Sequence, residues 1–445
     1  MTMKVIIIGG NAAGMSAASR LKRKCPEARV IVFERTGEVS YGACGMPYYI
    51  AGYNDSLDKM RIRKPEAFLE QGIELRLHAT VTKVYAQNKV ISWQNEEGIH
   101  AVENYDKLVI ATGASPIVPP VKNADLDGVF TLKTLSDAER IKNCIADEAV
   151  KTVAIVGGGY IGLELAEACL HQHKAVHVFE TMPRLLSTFD PEFGDAVANA
   201  LLRAGAEVHL EQLVTALEGN GRVERLYTGE QSFEADVVIF AVGVRPNTAF
   251  IDDPAIAKLR NGALIVDEHM HTSAPDVYAA GDCASVIHQL TNQPVYLPLG
   301  TNANKQGRFT ADAILGRDAL GFRALGTAML RCVDLELART GLSEKEALAV
   351  NIDAASITVK AASHAPYYPD PVAITLKLCY ERGTKRLLGA QIMGCGETAW
   401  RIDVFACAID RGMRTDELGR LDLGYAPPFA SVWDAVHIAA NAVKS

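Results

Sequence analysis

The stretch "KTVAIVGGGYIGLELAEACLHQHKAVHVFE" (151–180) predicts a complete unit for binding a dinucleotide. A short apolar strand runs into the turn Gly157-x-Gly159-x-x-Gly162, a helical pattern follows, and a second strand ends in Glu180. Glycines let such a turn approach a pyrophosphate closely, and the amides at the helix start favour its negative charge. The carboxylate at the end of the second strand can accept hydrogen bonds from ribose hydroxyls. The pattern therefore predicts an α/β fold with parallel strands.

A second copy of this pattern opens the chain, with "KVIIIGG" (4–10) as the first strand and "RVIVFER" (29–35) as the second. Its turn carries Gly9 and Gly14, and Asn11 stands where the other unit has its middle glycine. Because asparagine tolerates unusual backbone angles better than most residues, we interpret this turn as a variant that still binds a nucleotide. Two units predict two working sites. The alternatives are one inactive copy, or glycines that serve only helix–strand packing.

Length and composition are typical of a globular protein with several domains. The chain has 445 residues, of which 49% are hydrophobic and 22% charged, and this length favours two or three domains. A formal net charge of −8 argues against nucleic-acid binding, which needs a basic surface. The apolar runs are too short to span a bilayer or to form a signal peptide. We therefore expect no membrane association and a cytoplasmic location.

Nine cysteines are scattered along the chain without any C-x-x-C pair, which predicts neither a zinc site nor a disulfide framework. Most of them are expected to be buried, reduced thiols. Cys44 differs, because it lies in "SYGACGMPYYIAG" (40–52) among glycines and tyrosines. The residues from Gly45 to Tyr48 predict a helix start, where amide dipoles favour a thiolate. We predict that Cys44 is the reactive thiol and that no metal takes part.

Five motifs, in this order, resemble those of the flavin- and pyridine-nucleotide-dependent disulfide oxidoreductases: "VIIIGGNAAG" (5–14), "ATGASP" (111–116), "GGGYIGLE" (157–164), "AVGVRPN" (241–247) and "VYAAGDCA" (277–284). The resemblance runs from residue 4 to the C-terminus. It implies two Rossmann-like domains, for FAD and NAD(P)H, and a C-terminal α+β dimerisation domain. It also implies a homodimer in which the partner subunit completes the active site. The implied domains are residues 1–115 with 245–322 for FAD, 116–244 for NAD(P)H, and 323–445 for dimerisation.

The resemblance also assigns residues to the two cofactors. Asp282 is expected to bind the ribityl chain of FAD, and Tyr160 to cover the flavin until the nicotinamide displaces it. Glu180 is expected to favour NADH without excluding NADPH, because its carboxylate repels the 2′-phosphate. The implied FAD residues are Gly9, Ala13, Gly14, Glu34, Arg35, Val81, Ala111, Thr112, Gly113, Asp282 and Leu299. The implied NAD(P)H residues are Gly157, Gly159, Tyr160, Ile161, Gly162, Glu180 and Gly243.

The single cysteine indicates a branch of this family. Glutathione reductase-like members carry two cysteines four residues apart in this region and a His-Glu pair near the C-terminus, and this sequence has neither. "SYGACGMPYYIAG" instead resembles the branch of coenzyme A-disulfide reductases, NADH oxidases and peroxidases, and polysulfide reductases. A lone thiolate reaches its oxidised state with a substrate thiol, as a mixed disulfide, or with oxygen, as a sulfenic acid. The resemblance implies that electrons pass from NADH through FAD to Cys44 and then to the substrate.

Two features favour the coenzyme A-disulfide reductases within this branch. The turn "GGNAAG" (9–14) lacks the histidine that is typical of NADH oxidases and peroxidases. Tyr367 and Tyr425 match two tyrosines that, in coenzyme A-disulfide reductases, reach the cysteine of the second subunit. A phenol can donate a proton to a departing thiolate. The alternative is that both rings only pack in an interface.

Coenzyme A carries a 3′-phosphate and a pyrophosphate, so basic residues near the cysteine are expected to bind it. Solvated helix faces are the alternative for each arginine. Ala43 replaces an asparagine that some members carry before the cysteine. By resemblance, the coenzyme A residues are Arg20, Arg23, Ser40, Asn304 and Arg308, and further candidates are Arg61, Arg63 and Lys64.

The sequence therefore predicts an enzyme that uses FAD and NAD(P)H to reduce coenzyme A disulfide, or a related small disulfide, through a mixed disulfide on Cys44. The alternatives are an NADH oxidase that forms a Cys44 sulfenic acid and a persulfide or polysulfide reductase. The latter often carries an additional C-terminal rhodanese module, for which "HIAANAVKS" (437–445) leaves no room. A flavin-bearing binding or sensor protein is the alternative outside enzymes, and the reactive cysteine with both glycine motifs argues against it.

Overall fold

The computed structural model describes residues 2–318 and 320–444 and confirms the α/β fold class. A five-stranded parallel sheet forms the first unit. Its central strand is apolar throughout because both faces are buried: Val5 and Ile7 pack under helices, and Ile6 and Ile8 pack under a small antiparallel sheet. The strands are, in sheet order, Val277–Ala279, Lys107–Ile110, Lys4–Ile8, Arg29–Phe33 and Ile73–Arg76. The covering elements are the helices Ala12–Lys24 and Gly300–Ile314 and the strands Ala79–Tyr85, Val90–Asn95 and His100–Asn104.

A second parallel sheet repeats this plan. Val153 and Ile155 pack against helices, and Ala154 and Val156 pack against a three-stranded antiparallel sheet. The parallel strands are, in sheet order, Glu207–His209, Ala175–Phe179, Thr152–Val156, Val237–Phe240 and Val129–Thr131. The covering elements are the helices Leu135–Ala146, Tyr160–His171 and Pro191–Arg203 and the strands Ala216–Glu218, Arg225–Thr228 and Gln231–Glu234.

The C-terminal part is built on an antiparallel sheet covered by helices, as the predicted α+β domain requires. A capping box opens the first helix of this part, because the Ser343 hydroxyl accepts the Glu346 N–H and the Glu346 carboxylate accepts the Ser343 N–H. The strands are, in sheet order, Ala328–Cys332, Leu335–Gly341, Leu387–Gly394, Ala373–Glu381 and Ala354–Ala362. The helices are Glu344–Ala349, Ile402–Asp410, Thr415–Leu418 and Ala435–Ala442.

Short elements connect these three parts. The strands Ala114–Pro116 and Val244–Pro246 pair with each other where the chain passes between the two parallel sheets, close to the predicted domain boundaries, which remain predictions. Within residues 2–318 and 320–444, every helix is too short or too polar to cross a bilayer. The other short elements are the strands Val286–His288, Pro294–Val295 and Arg323–Ala324, the helices Met46–Ala51 and Glu66–Leu69, and the 3₁₀ turns Ala43–Gly45, Leu57–Met60 and Ala399–Arg401.

Candidate active site

The glycines of the second turn are required by the backbone around them. Gly157 has a φ of +117°, and a Cβ there would lie 2.4 Å from the Ala241 carbonyl oxygen. A Cβ on Gly162 would lie 1.9 Å from the Gly157 carbonyl oxygen, so only glycine lets the helix Tyr160–His171 begin this close to the strand. At Gly159, no atom of the described residues lies within 4 Å of the Cβ position, which leaves room for a pyrophosphate.

The first turn has the same geometry. Gly9 has a φ of +110°, and Cβ atoms on Gly9 and Gly14 would lie 2.2 Å from the Ala111 oxygen and 1.9 Å from the Gly9 oxygen. Asn11 has an ordinary φ of −107° but a ψ of −149°, which lies outside the helical and extended ranges, as the prediction of an unusual backbone angle requires. Its side-chain oxygen accepts the Tyr41 N–H at 3.1 Å. The side chain is thus directed to the loop that precedes the reactive cysteine.

A carboxylate accepts a hydrogen bond from each glycine turn. Glu34 Oε2 accepts the Gly10 N–H at 2.7 Å, and Glu180 Oε2 accepts the Gly158 N–H at 2.8 Å. The second oxygen of each carboxylate accepts a backbone N–H two residues further along the chain, at 2.9 Å. The two glutamates therefore take equivalent positions beside turns that fit a dinucleotide, where each ribose is expected.

We expect Glu180→Gln to weaken the preference for NADH over NADPH. The glutamine keeps an oxygen that can accept the Gly158 N–H but removes the charge that repels a 2′-phosphate. Loss of this repulsion should lower the ratio of kcat/KM for NADH to kcat/KM for NADPH about tenfold. Arg184 follows four residues after Glu180 and is expected to offset part of this repulsion, although its side chain lies 3.4 Å from the Asp195 carboxylate, so the parent should use NADPH weakly. Steady-state kinetics with both nucleotides measure the ratio.

The control for this variant is Glu211→Gln, an exposed carboxylate on the neighbouring loop, which should leave the ratio at the parent value. A parent that prefers NADPH, or an unchanged ratio in Glu180→Gln, would contradict the assigned role.

Cys44 lies on a short turn beside the start of a long helix. It belongs to the 3₁₀ turn Ala43–Gly45, directly before the predicted helix start at Met46–Ala51, which the structure confirms. Its side chain is exposed and its thiol is free. A Cβ on Gly300 would lie 3.6 Å from the Cys44 Sγ, so a glycine at the first position of the helix Gly300–Ile314 leaves space beside the sulfur.

Charged groups from both nucleotide-binding units surround the Cys44 sulfur. Although the side chain reaches the surface, desolvation by its neighbours raises the pKa of the thiol, and the Glu164 and Asp282 carboxylates raise it further. Lys133 lowers this pKa and lies 3.9 Å from Asp282. We expected the helix start to favour the thiolate, but the surrounding protein groups favour the neutral thiol. The helix Met46–Ala51 has only six residues, and desolvation and the two carboxylates outweigh its effect on the pKa of Cys44.

Glu164 is expected to contribute to the pH dependence of Cys44 reactivity. Burial, and then the charge of Glu167, raises the pKa of Glu164 to about 7. Below that pH the Glu164 carboxyl is neutral, and above it the carboxylate opposes ionisation of the nearby thiol. We therefore expect Glu164→Gln to lower the pKa of Cys44 and to speed its alkylation by iodoacetamide above pH 7.

Measured alkylation rates of the Glu164→Gln variant and the parent should converge near pH 6 and diverge by pH 8. Glu148→Gln, which removes an exposed carboxylate, serves as the control and should follow the parent throughout. Equal rates for Glu164→Gln and the parent at pH 8 would show that this carboxylate does not act on the sulfur.

Among the predicted FAD residues, Ala111 lies against the first turn, because its carbonyl oxygen is 2.2 Å from the Gly9 Cβ position. Thr112 donates its hydroxyl to the Asn247 carbonyl at 2.7 Å and accepts the Asn247 side-chain N–H on its own carbonyl at 3.0 Å. A Cβ on Gly307 would lie 2.1 Å from the Ala13 oxygen, so the two helices of the first unit cross in close contact. Of the other predicted FAD residues, Leu299 precedes the helix Gly300–Ile314, Val81 is buried, Arg35 is exposed and Gly113 has a positive φ. Of the predicted NAD(P)H residues, Ile161 is exposed and Gly243 has a positive φ.

The predicted coenzyme A residues divide into paired and exposed groups. The Arg20 Nε donates to both Asp312 oxygens at 2.9 Å, and the Asn304 side chain donates to the Ser16 hydroxyl at 3.0 Å. Arg23 and Arg308 are exposed. Ser40 has a φ of +50°, and its carbonyl accepts the Ile62 N–H. Arg61 forms ion pairs with Glu38 and Asp58. The Arg63 guanidinium lies 4.1 Å from the Phe68 ring centroid, and Lys64 is exposed.

The two predicted tyrosines contact each other through their hydroxyls on the surface of the C-terminal part. Tyr367 is 71% exposed and Tyr425 is 44% exposed. The contact with Tyr367 raises the pKa of the Tyr425 hydroxyl, which therefore keeps its proton at neutral pH. Tyr160 lies elsewhere, 6.3 Å from Phe189 between ring centroids, after the second glycine turn.

Three groups beside Cys44 were missed by the sequence analysis. Glu164 belongs to the motif "GGGYIGLE" (157–164), so the sequence could have indicated that it lies close to the second glycine turn. Lys133 and Gly300 carry no comparable signal, because the fold alone brings them to the sulfur.

Comparisons with known proteins identify the fold and its cofactors. The model of the family described as pyridine nucleotide-disulphide oxidoreductase matches residues 3–307, and the model of the same family's dimerisation domain matches residues 328–436. The chain belongs to this family. Pyridine nucleotide-disulphide oxidoreductases use FAD and NAD(P)H, and the open space at the Gly113 and Gly159 Cβ positions fits both.

Three similar proteins narrow the class of reaction. The NAD(P)H sulfur oxidoreductase (CoA-dependent) of Pyrococcus abyssi is 39% identical over 99% of this chain and 98% of its own length. An NADH oxidase of Methanocaldococcus jannaschii is 35% identical over 99% of this chain and 98% of its own length. The crystal structure of reduced Bacillus anthracis CoADR-RHD has a TM-score of 0.96 at 32% identity, over 99% of this chain and 80% of that chain. The chain is therefore an NAD(P)H-dependent flavoprotein oxidoreductase, and the predicted resemblance is confirmed.

Proposed function

We propose that this enzyme reduces coenzyme A disulfide with NAD(P)H through a mixed disulfide on Cys44. The observation that carries the proposal is the exposed thiol of Cys44, whose charged neighbours come from both nucleotide-binding units, Glu164 from one and Asp282 from the other. All nine cysteines are free thiols, and the nearest ones along the chain are Cys25 and Cys144. Cys44 therefore takes its disulfide partner from the substrate.

The chemistry of Cys44 follows from thiol–disulfide exchange. Its thiolate attacks one sulfur of the substrate, which forms the mixed disulfide and releases the first coenzyme A thiolate. When bound, FAD supplies the two-electron link between NAD(P)H and this sulfur. Two electrons delivered to the mixed disulfide break it, which returns the Cys44 thiolate and releases the second coenzyme A. Each released thiolate takes up one proton, so a proton donor beside the sulfur aids release.

Exposed cations on the two crossing helices support binding of the coenzyme A phosphates. Arg23 lies near the end of the helix Ala12–Lys24, and Arg308 lies two turns along the helix that starts beside Cys44. Arg20 belongs to the same surface, but the Asp312 carboxylate neutralises much of its charge. We propose that Arg23 and Arg308 are the main residues that bind the coenzyme A phosphates, and that Ser40 and Asn304 make further polar contacts.

A homodimer explains the position of the tyrosine pair. Tyr367 and Tyr425 belong to the part of the chain that matches the dimerisation domain. Large apolar side chains are exposed nearby in the sequence, as expected of an interface that a second copy covers. In this arrangement the Tyr425 hydroxyl donates a proton to the coenzyme A thiolate that leaves the cysteine of the other subunit. The exposed apolar residues are Tyr368, Trp400, Phe429, Val432 and Trp433.

We expect Tyr425→Phe to slow coenzyme A-disulfide reduction about tenfold, which is less than the effect of about 100-fold or more that is typical of a general acid, because the Tyr367 hydroxyl remains close by. Flavin reduction by NADH, measured by stopped-flow absorbance without substrate, should be unchanged. Tyr368→Phe, an exposed neighbour, is the matched control and should behave like the parent. A Tyr425→Phe variant with the parent turnover would assign this ring to packing alone.

Two related substrates are the competing candidates. The Pyrococcus abyssi relative, an NAD(P)H sulfur oxidoreductase, favours a sulfur substrate such as polysulfide. The Methanocaldococcus jannaschii relative favours oxygen. Anaerobic kcat/KM values with coenzyme A disulfide and with polysulfide, and the oxygen-dependent rate with NADH alone, distinguish the three. The proposal predicts the highest value for coenzyme A disulfide and fails if either competitor exceeds it.

A further inference from the structure

A cluster of metal-ligating side chains lies at the edge of the second parallel sheet. His177 is on the strand Ala175–Phe179, and Glu207 and His209 are on the edge strand Glu207–His209. His177 is the register partner of Glu207, and side chains two residues apart in a strand share a face, so all three project from the same face. The cysteine pattern predicted no zinc site, but this cluster contains no cysteine.

The three ligand atoms form a triangle of the size that a metal ion requires. The His177 Nδ1 lies 3.1 Å from the His209 Nε2 and 3.5 Å from a Glu207 carboxylate oxygen, and the His209 Nε2 lies 3.7 Å from that same oxygen. In a tetrahedral zinc site with bonds of about 2.0–2.1 Å, neighbouring ligand atoms are about 3.3–3.4 Å apart. An ion placed between the three atoms therefore needs little movement of the side chains.

Aromatic rings hold the two imidazoles in place. The His209 ring stacks on Phe179 at 4.6 Å between centroids with an interplanar angle of 15°, and it also lies 4.6 Å from Phe233. The His177 and His209 side chains are only 16% and 17% exposed, whereas the Glu207 side chain is 66% exposed. The imidazoles are thus oriented in advance, and the open side at Glu207 leaves a fourth position for water.

We propose that His177, Glu207 and His209 bind zinc or a divalent transition-metal ion with similar ligand preferences. Two imidazole nitrogens and one carboxylate oxygen are a donor set that suits such an ion better than Ca²⁺ or Mg²⁺, which prefer oxygen ligands alone. The site is separate from the Cys44 chemistry but not from the nucleotide site. The Glu180 N–H donates to the His209 carbonyl at 2.9 Å, so the ion would tie the edge strand to the strand end that carries Glu180.

Zinc binding to the FAD-loaded enzyme tests the proposal. The enzyme is first treated with a chelator, dialysed and titrated with zinc chloride, and bound zinc per chain is measured by elemental analysis after gel filtration. Cysteines bind some zinc in every variant, so the informative quantity is the difference between variants. The parent should bind one more ion per chain than Glu207→Ala and His177→Ala, because loss of a ligand weakens the site by more than the roughly 10–100-fold that loss of a ligand's hydrogen-bond partner costs.

Two matched controls accompany these variants. Glu230→Ala and His100→Ala remove an exposed carboxylate and an exposed imidazole elsewhere, and both should bind as much zinc as the parent. Because the Glu207 side chain is exposed, Glu207→Ala should keep the parent's flavin content and unfolding midpoint, which separates a lost ligand from a lost fold. Equal zinc in the parent, Glu207→Ala and His177→Ala would overturn the proposal.

Discussion

Cys44→Ser is expected to abolish the reduction of coenzyme A disulfide, with a fall in kcat/KM of at least about a thousand-fold, because a hydroxyl does not replace a thiolate as a nucleophile toward sulfur. The variant should still bind FAD and should still show rapid bleaching of the flavin by NADH, since neither glycine turn is altered. Steady-state NADH consumption with coenzyme A disulfide under anaerobic conditions gives the first quantity, and stopped-flow absorbance gives the second.

Cys407→Ser is the matched control for this prediction. Cys407 is also exposed and free, so its loss tests whether any accessible thiol would serve. This variant should keep the parent kcat/KM. Substantial turnover of coenzyme A disulfide by Cys44→Ser, or a comparable loss in Cys407→Ser, would remove Cys44 from its assigned role.

Gly162→Ala is expected to raise the KM for NADH about 100-fold or more while FAD stays bound. The added Cβ would lie 1.9 Å from the Gly157 carbonyl oxygen, so the helix Tyr160–His171 has to move away from the strand. A displacement near 1 Å at a positioned site costs on the order of 100-fold. The overpacking also destabilises the fold by about 1–3 kcal/mol. Steady-state kinetics with varied NADH give the KM, and flavin absorbance of the purified variant shows whether FAD is retained.

The control for Gly162→Ala is Gly383→Ala, at a glycine where no atom of the described residues lies within 4 Å of the Cβ position. That variant should bind NADH like the parent. Normal NADH affinity in Gly162→Ala would mean that the second turn does not hold the nicotinamide nucleotide.

The glycine turns could be predicted because their signal is local. Strand, turn, helix and acidic strand end all fall within about 30 residues of sequence. The structure places Glu34 and Glu180 beside their turns in the same way. The hydrogen bond of the Asn11 side chain could not be predicted, because its partner, the Tyr41 N–H, lies on another loop.

The electrostatics of Cys44 could not be predicted in the same way. The local sequence shows only a helix start, which favours the thiolate. Glu164 and Asp282 come from distant parts of the chain, and together with desolvation they raise the pKa of the thiol instead. The cluster of His177 and His209 was missed for a related reason, since only the pairing of two parallel strands brings the imidazoles together.

Intact-protein mass spectrometry shows whether Cys44 forms a mixed disulfide with coenzyme A. Cys44 is first reduced with dithiothreitol, the reductant is removed, and absorbance verifies that the flavin is oxidised, so that no electrons remain to break the adduct. The enzyme is then mixed anaerobically with one equivalent of coenzyme A disulfide per chain. We expect an increase of one coenzyme A per chain, located on Cys44 by peptide mapping, absent from Cys44→Ser and reversed by NADH. A protein that consumes NADH with coenzyme A disulfide but carries no adduct, or carries it on another cysteine, would contradict the proposed role of Cys44.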